Sequence, residues 1–327
     1  MTVRRVPVEI DGRTFSVGNL DKVLWPADGY TKADLMRYYL DVGPHLLPHL
    51  AGRPLVFTRY PDGISGPSFY QKDIPAGAPG WVRTFPYRAS TGRVLDFVLC
   101  PDLATLAWVA SQACIEIHPW LSRATTLDSP DWAVFDLDPA PPATFADALP
   151  LAFALRRILG ELGLSSVPKT TGATGIHIYV PLAPGYTYRQ AREFVRRVAM
   201  VLKRAFPARV TLERPVDRRA GRVYIDYLQN VRGKTLVAPY GVRPSPGAPV
   251  STPVTWDELV TVDPRRFTIL TVPRRVRDRG DLFAAALAFS GRIPGELLPD
   301  VPHPPQRYPR VGAAHPAYTT PRLPKGG

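Results

Sequence analysis

The sequence predicts an α+β fold with mixed or antiparallel sheets flanked by helices. Its first half alternates short strands and turns, and its second half alternates strands with two long segments of helical periodicity. No Gly-x-Gly-x-x-Gly fingerprint and no P-loop motif occurs in the chain, which argues against a doubly wound nucleotide-binding sheet.

In the first half, short apolar runs bounded by turn residues predict strands. These strands are expected at 8–10, 14–17, 55–60, 94–99 and 114–118. A capping-box pattern at Thr31 and Asp34, with Asp in place of Glu, predicts a helix from there to about Val42. A second helix is predicted over 103–113.

The second half carries the longer periodic segments. Helices are predicted over about 144–163 and 188–206, where apolar residues recur at helical spacing. Strands are predicted up to Asp138, at 176–180 and at 222–228. The final stretch, 301–327, is basic and rich in proline, which indicates an extended strap or a disordered tail.

The composition is that of a globular protein with a polyanionic partner. Hydrophobic residues make up 45% of the 327 residues, and no apolar run is long enough to span a membrane. The net charge of +13 comes mostly from arginine, which favours nucleic acid over a membrane as the partner. The N-terminus lacks the apolar core of a signal peptide, so the cytoplasm is the expected location. Cys100 and Cys114 stand outside any zinc-like cluster and are predicted to be buried thiols.

The segment 131–139 ends an apolar run with two aspartates, Asp136 and Asp138. On a β-strand, residues i and i+2 share a face, so the two carboxylates repel each other unless a cation lies between them. Oxygen ligands suit Mg²⁺ or Mn²⁺, and phosphoryl-transfer enzymes need such a pair to hold metals and a nucleoside triphosphate. Taken alone, the pair also fits solvated acids at a strand end or the Asp-x-Asp of a nucleotide-sugar transferase.

Three further segments are candidates to converge on this pair. The segment Lys169–His177 has two glycines among hydroxyl residues, which lets backbone N–H groups approach a phosphate, and it ends at His177. Asp226 lies in an apolar strand, where a metal or an arginine must compensate its charge. The polar and basic residues of 229–243 follow directly and are suited to neutralise a triphosphate.

In combination and order, three motifs resemble the polymerase domain of bacterial ligase D, a member of the archaeo-eukaryotic primase superfamily. They are Asp136–Pro139, Thr171–Leu182 and Asp226–Thr235, and the resemblance runs from about Val17 to Gly295. It implies a primase-polymerase fold forming one compact catalytic unit over 1–300. Residues 1–130 would bind DNA and its 5′-phosphate, and 131–300 would be the catalytic core.

The resemblance also implies roles for individual residues. Asp136, Asp138 and Asp226 would bind two divalent metals, and Thr171, Gly172, His177, Lys234, Arg243 and His118 would bind the incoming nucleotide. Asn19, Lys22 and Lys32 would bind the 5′-phosphate of the downstream DNA strand, and Phe69 and Tyr70 would stack on template bases. Thr171 stands where the family often has serine, and both residues carry a hydroxyl. Judged without the resemblance, both lysines are ordinary surface residues, and the aromatic pair is core or loop filler.

The expected activity is that of a DNA-dependent nucleotidyltransferase that fills short gaps and extends 3′ ends in double-strand break repair. Two Mn²⁺ or Mg²⁺ ions, nucleoside triphosphates and a ribonucleotide preference are implied. Because the Lys-x-Asp-Gly motif of a ligase is missing, a stand-alone polymerase is expected. Its partners would be gapped or 5′-phosphorylated DNA, a Ku-type protein and a separate ATP-dependent ligase, at the nucleoid. The alternatives are a primase, an excision-repair polymerase for short gaps, or a non-catalytic module that bridges DNA ends.

Overall fold

The structure is a computed structural model that describes residues 5–89 and 91–299. The α-helices are α1 Lys32–Leu50, α2 Leu103–Ser111, α3 Phe145–Glu161, α4 Tyr188–Ala205, α5 Trp256–Leu259 and α6 Val272–Arg279. The strands are β1 Arg5–Ile10, β2 Arg13–Gly18, β3 Val23–Trp25, β4 Tyr30–Thr31, β5 Leu55–Arg59, β6 Phe69–Gln71, β7 Thr84–Arg88, β8 Val94–Val98, β9 Cys114–Pro119, β10 Trp132–Pro139, β11 Val167–Thr170, β12 Ile176–Pro181, β13 Val210–Thr211, β14 Val223–Ile225, β15 Gly241–Val242 and β16 Val250–Ser251. The predicted tail at 301–327 lies outside the described residues.

The largest sheet has five strands in the order β11-β12-β10-β14-β13. All neighbours are antiparallel except β13 and β14, which are parallel. Alternate residues of β10, among them Phe135 and Leu137, are fully buried against α3 and α4, and Phe135 makes an edge-to-face contact with Phe194 of α4. The opposite face of the strand carries Asp136 and Asp138, so α3 and α4 leave these two side chains available for a site.

The first half of the chain builds a second, three-stranded sheet in the order β6-β5-β9, next to α1 and α2. Buried polar contacts join it to the second half. The Tyr38 hydroxyl donates to the carbonyl of Tyr240. Both terminal N–H groups of Arg53 donate to the carboxylate of Asp131. One hydrophobic cluster includes residues from both halves, such as Leu106 and Phe135. The predicted α+β class with mixed and antiparallel sheets is therefore confirmed.

Two predicted elements differ from the observed ones. The first helix does not end near Val42 but continues to Leu50, because Leu46 and Leu50 extend its buried face and its two prolines are accommodated. The capping box of Thr31 and Asp34 is present as predicted. The strand predicted over 222–228 ends at Ile225, and a short 3-10 turn follows it.

The described helices include none that is long and apolar enough to cross a membrane. Cys100 and Cys114 are buried free thiols, as predicted, and burial raises the pKa of both well above the usual range. Neither thiol is therefore activated as a nucleophile.

Candidate active site

The two predicted aspartates stand on the face of the central sheet opposite α3 and α4. Asp136 and Asp138 are both partly exposed, whereas Leu137 between them is fully buried on the other face. This alternation is the one predicted from the strand pattern. The two carboxylates therefore project side by side at the end of β10.

Asp226, the residue directly after the neighbouring strand β14, joins this pair. Its backbone N–H donates to the carbonyl of Asp136 at 2.9 Å, next to the register pair Leu137 and Ile225. The prediction that Asp226 lies within a strand is wrong. Its carboxylate accepts a hydrogen bond from the N–H of Leu228 at 3.0 Å and caps the 3-10 turn Tyr227–Asn230. A short side chain at a turn start satisfies a free backbone donor, and this ends the strand.

The three carboxylates repel one another. Burial raises the pKa of Asp138, and the charges of Asp136 and Asp226 raise it further against the opposing effect of Arg219. Burial and then Asp136 likewise raise the pKa of Asp226. A cation between the carboxylates would offset both the cost of burying their charge and their mutual repulsion. The donor set therefore fits a hard divalent metal ion.

Protein groups contact each carboxylate in the structure. Nη1 of Arg219 lies 3.3 Å from Asp138, and its guanidinium stacks 3.7 Å from the ring centre of Tyr224. The Tyr224 hydroxyl donates to Asp226 at 3.0 Å, and Nε2 of His177 lies 3.3 Å from Asp136. Within the described ranges, no three His, Cys, Asp or Glu side chains are already arranged as a metal shell.

A row of charged and polar side chains crosses four segments of the sheet on this face. Lys169 is opposite His177, His177 is opposite Asp136, and Asp136 contacts Asp226 through the backbone. Lys169 is fully buried, donates to Ser251 and to the carbonyl of Val237, and has a pKa lowered well below its usual value by burial.

His177 is held neutral within this row. Burial and the nearby Lys169 lower the pKa of His177 to about 4, although Asp136 acts in the opposite direction. In the described part of the chain, Nδ1 of His177 is buried and has no hydrogen-bond partner. A buried polar atom without a partner costs free energy, so this nitrogen is suited to receive a ligand group.

The predicted phosphate loop is tightly packed. Gly172 has φ +71°, and a Cβ there would lie 2.6 Å from Cγ of Arg243 and 2.8 Å from the backbone nitrogen of Ser251. A Cβ at Gly175 would lie 2.4 Å from the carbonyl oxygen of Leu137. The hydroxyl oxygen of Thr171 accepts from the loop's own N–H groups at 173 and 175. Thr171 thus holds the shape of the loop, and the glycines allow its close approach to β10.

Of the remaining predicted nucleotide-binding residues, Arg243 packs on Gly172 of this loop. Arg243 forms an ion pair with Glu116 at 2.9 Å, and its buried Nε has no partner among the described residues. His118 lies 3.6 Å from the same carboxylate. Lys234 is exposed, and its charge lowers the pKa of Asp226, which indicates that the two side chains are near each other.

The predicted 5′-phosphate residues come together at the start of α1. Asn19 has φ +55°, its carbonyl accepts from the N–H of Lys22, and the carbonyl of Lys22 accepts from the N–H of Lys32. Burial lowers the pKa of Lys32, and the neighbouring charges of Lys22, Arg59 and Arg5 lower it further. Such a concentration of positive charge suits a phosphate. Lys22 also forms an ion pair with Asp62 at 2.7 Å.

The predicted template-stacking pair is on the edge strand β6. Phe69 is 47% exposed and Tyr70 is 70% exposed, so each ring has surface available to a partner. The Arg59 guanidinium lies 5.4 Å from the ring centre of Phe69, and the ring centres of Tyr70 and His118 are 6.3 Å apart. Phe69 thus adjoins Arg59, one of the positive charges around Lys32, and Tyr70 adjoins the predicted nucleotide-binding residue His118.

A family model described as the LigD primase-polymerase domain matches residues 31–283, which is more than half of the chain. The chain belongs to the LigD primase-polymerase domain family. The family predicted from the three motifs is thereby confirmed.

Curated relatives agree with this assignment. A multifunctional non-homologous end joining protein LigD of Mycolicibacterium smegmatis is 36% identical over 81% of this chain and 35% of its own length. A bifunctional LigD of Bacillus subtilis is 36% identical over 80% of this chain and 42% of its own length. The chain therefore spans well under half the length of these relatives.

A solved structure is similar over most of the fold. The polymerase domain of Mycobacterium tuberculosis ligase D, in complex with DNA, superimposes with a TM-score of 0.78 at 34% identity. The match covers 85% of this chain and 99% of that domain. The predicted primase-polymerase fold is confirmed.

Several residues of this LigD-type site were missed by the sequence analysis. Glu116 and Lys169 are buried ionisable side chains beside predicted residues and had no predicted role, although Lys169 begins the predicted loop segment; Arg219 reaches Asp138 from the Arg-rich segment 213–222. The signal for Glu116 was present, because it stands two residues before His118 in one strand and therefore shares its face. No sequence signal distinguished Arg219 from the arginines around it.

Arg232 lies in the loop that carries Lys234 and contacts Tyr87, Trp120 and Asp128. Its guanidinium lies 5.2 Å and 5.9 Å from the ring centres of Tyr87 and Trp120, donates to the Tyr87 hydroxyl, and forms an ion pair with Asp128. These contacts tie the segment after Asn230 to the first half of the chain. Lys234 follows two residues later, so we expect its position to depend on Arg232.

Substitution of Arg232 by lysine is expected to raise the KM for the nucleoside triphosphate about fivefold. Lysine keeps the charge but loses the planar stack on two rings, a contribution of about 1 kcal/mol. The measurement is steady-state primer extension, with Arg265→Lys as the control, because Arg265 pairs with Asp263 at an exposed turn. An unchanged KM in Arg232→Lys would show that Arg232 does not position Lys234.

Proposed function

We propose that this chain is a template-directed nucleotidyltransferase that extends a primer 3′ end across a short gap or a bridged double-strand break. The observation that carries the proposal is the gathering of Asp136, Asp138 and Asp226 on one sheet face, beside a glycine loop and two basic side chains. Binding DNA alone requires no cluster of acids, so this site favours an enzyme over a bridging module.

In this proposal the three aspartates hold two divalent metal ions. When bound, such ions lower the pKa of the primer hydroxyl and balance charge on the triphosphate. Arg243 and Lys234 neutralise phosphate oxygens, and the backbone around Gly172 lies close to them. His177 contributes its unpartnered Nδ1 to the nucleotide. The primer hydroxyl attacks the α-phosphate in line and pyrophosphate leaves.

The division of labour follows the two halves of the fold. We assign 1–130 to the DNA end, with Asn19, Lys22 and Lys32 on the 5′-phosphate and Phe69 and Tyr70 on template bases. Residues from 131 onward, together with His118, would carry the nucleotide and the metals. A phosphate pocket holds the protein in register without reading sequence, so binding should depend on salt.

The wider role rests on the relatives. The LigD relatives are named as non-homologous end joining proteins, and the similar solved domain is in complex with DNA. We propose the same pathway here, with DNA bringing the chain to the nucleoid and with a Ku-type protein and an ATP-dependent ligase as partners. A ribonucleotide preference and use of Mn²⁺ belong to the same proposal.

The test is primer extension on a gapped duplex with a 5′-phosphate on the downstream strand. Ribo- and deoxyribonucleotides are compared with Mn²⁺ or Mg²⁺ and with metal removed by chelation. Metal-dependent extension that needs a primer supports the proposal, and synthesis without a primer would instead indicate a primase. Binding of DNA without extension under any condition would leave an end-bridging module.

The phosphate pocket gives a separate prediction. Lys22→Ala and Lys32→Ala are each expected to reduce affinity for 5′-phosphorylated gapped DNA about tenfold, because a hydrogen bond to a charged group contributes about 1.5 kcal/mol. Affinity for the same DNA without the phosphate should change little. Arg204→Ala, which removes one charge from the exposed face of α4, is the matched control. Equal losses on both DNAs would contradict the pocket.

A further inference from the structure

Glu116 is a buried carboxylate at the junction of the two halves of the nucleotide site. It is 5% exposed and lies on β9, two residues before His118, so both side chains share one face of the strand. One carboxylate oxygen lies 2.9 Å from Nη1 of Arg243, and the other lies 3.6 Å from Nε2 of His118. A single acid thus contacts two basic side chains that come from different halves of the chain.

Arg243 is confined by this contact. On one side it meets Glu116, and on the other its Cγ packs so closely on Gly172 that a Cβ there would lie at 2.6 Å. Its Nε is buried and has no hydrogen-bond partner among the described residues. The guanidinium is therefore held at one end and retains unused donor capacity beside the phosphate loop.

His118 is confined in the same way. Its Nε2 contacts Glu116 and also lies 3.3 Å from the hydroxyl of Thr58, which is the register partner of Glu116 on β5. Burial acts to raise the pKa of Glu116, but His118, Arg243 and Thr58 together lower it below its ordinary value. The carboxylate is therefore ionised at neutral pH.

We propose that Glu116 is a positioning residue for nucleotide binding, which acts by holding Arg243 and His118 toward the incoming triphosphate. This inference rests on the proposed function of the site. The site contains three further carboxylates, and an arginine without a partner of its own would be drawn to them. By holding the guanidinium at one nitrogen, Glu116 keeps Arg243 apart from the metal-binding acids and leaves its other donors for phosphate.

The first test is Glu116→Gln, which keeps the size of the side chain and removes its charge. The KM for the nucleoside triphosphate should rise roughly 10-fold to 100-fold, because hydrogen bonds to charged groups carry that much binding free energy. Affinity for gapped DNA should stay within about twofold of the parent. Glu258→Gln is the matched control, because Glu258 is also a partly buried acid paired with two arginines, Arg275 and Arg279.

A double-mutant cycle separates positioning from general destabilisation. If Glu116 acts in part through Arg243, then Glu116→Gln should raise the KM for nucleotide by a smaller factor in the Arg243→Ala background than in the parent. Additive losses, or a KM in Glu116→Gln equal to that of the parent, would overturn the inference. If Glu116→Gln does not fold, the KM for nucleotide is measured in Arg243→Lys instead. A lysine ammonium cannot contact Glu116 and a phosphate at the same time, as the guanidinium can. An unchanged KM in that variant would also overturn it.

Inorganic tripolyphosphate distinguishes this inference from the proposed function. Its affinity is measured by calorimetry for the parent and for Glu116→Gln, with no primer or template present. If the parent binds tripolyphosphate more tightly than the variant but extends no primer, the polymerase proposal fails and the role of Glu116 stands. If the parent extends primers and the two proteins bind tripolyphosphate equally, the role of Glu116 fails and the polymerase stands.

Discussion

Replacement of Asp138 by alanine is expected to reduce primer extension about 10³-fold while leaving the protein at least as stable as the parent. If Asp138 holds a metal ion as proposed, its loss removes several kcal/mol of transition-state stabilisation, and each 1.36 kcal/mol is tenfold in rate. Asp136→Ala is expected to lose extension to the same extent. The measurement is single-turnover extension at saturating nucleotide and metal.

The expected stability of Asp138→Ala follows from the raised pKa of Asp138 in the parent. A carboxyl group whose folded-state pKa lies above its unfolded value favours folding at low pH, and this contribution is lost as the pH rises through the folded value. At pH 8 the ionised carboxylate therefore lowers the free energy of unfolding, and replacement by alanine removes this destabilising contribution. The melting temperature of Asp138→Ala should not fall below that of the parent.

Asp147→Ala is a control that is expected to lose stability and keep activity. Asp147 completes the capping box of α3, and its hydrogen bonds to Thr144 lower its pKa. Its removal should lower the melting temperature and leave extension unchanged. Parental activity in Asp138→Ala would show that this carboxylate does not hold a metal ion.

Replacement of Gly172 by alanine is expected to cost about 2–5 kcal/mol of stability and to raise the KM for nucleotide at least tenfold. The left-handed backbone costs an L-residue about 1–2 kcal/mol, and forcing extra atoms into a packed region costs about 1–3 kcal/mol more. The new Cβ would meet Cγ of Arg243 and the backbone of Ser251, so the guanidinium must move. Denaturant unfolding and steady-state kinetics measure the two effects.

Gly12→Ala is a matched control for backbone strain. Gly12 has φ +72°, nearly the value at Gly172, and an added Cβ there would have no heavy atom within 4 Å. It should therefore show the cost of the left-handed backbone alone, with no change in nucleotide KM. Equal stability losses and equal kinetics in the two variants would contradict the close approach of Gly172 to Arg243.

Local patterning was sufficient for much of the fold. The alternation in β10 predicted that Asp136 and Asp138 share a face, and the capping box at Thr31 predicted where α1 begins. The end of α1 was missed, because its last turns are held by burial of Leu46 and Leu50 against the rest of the protein. Packing of that kind overrides the local signal of prolines within the segment.

The sequence by itself determined the fold class, the aspartate pair and, through the order of three motifs, the family. Only the tertiary structure decided which groups meet these aspartates. The order β12-β10-β14 sets His177 opposite Asp136 and brings Asp226 beside it, and the junction with β9 brings Glu116 to Arg243. The physical reason is that a strand's own residues determine which side chains share a face, whereas its partner and register depend on packing of the whole core.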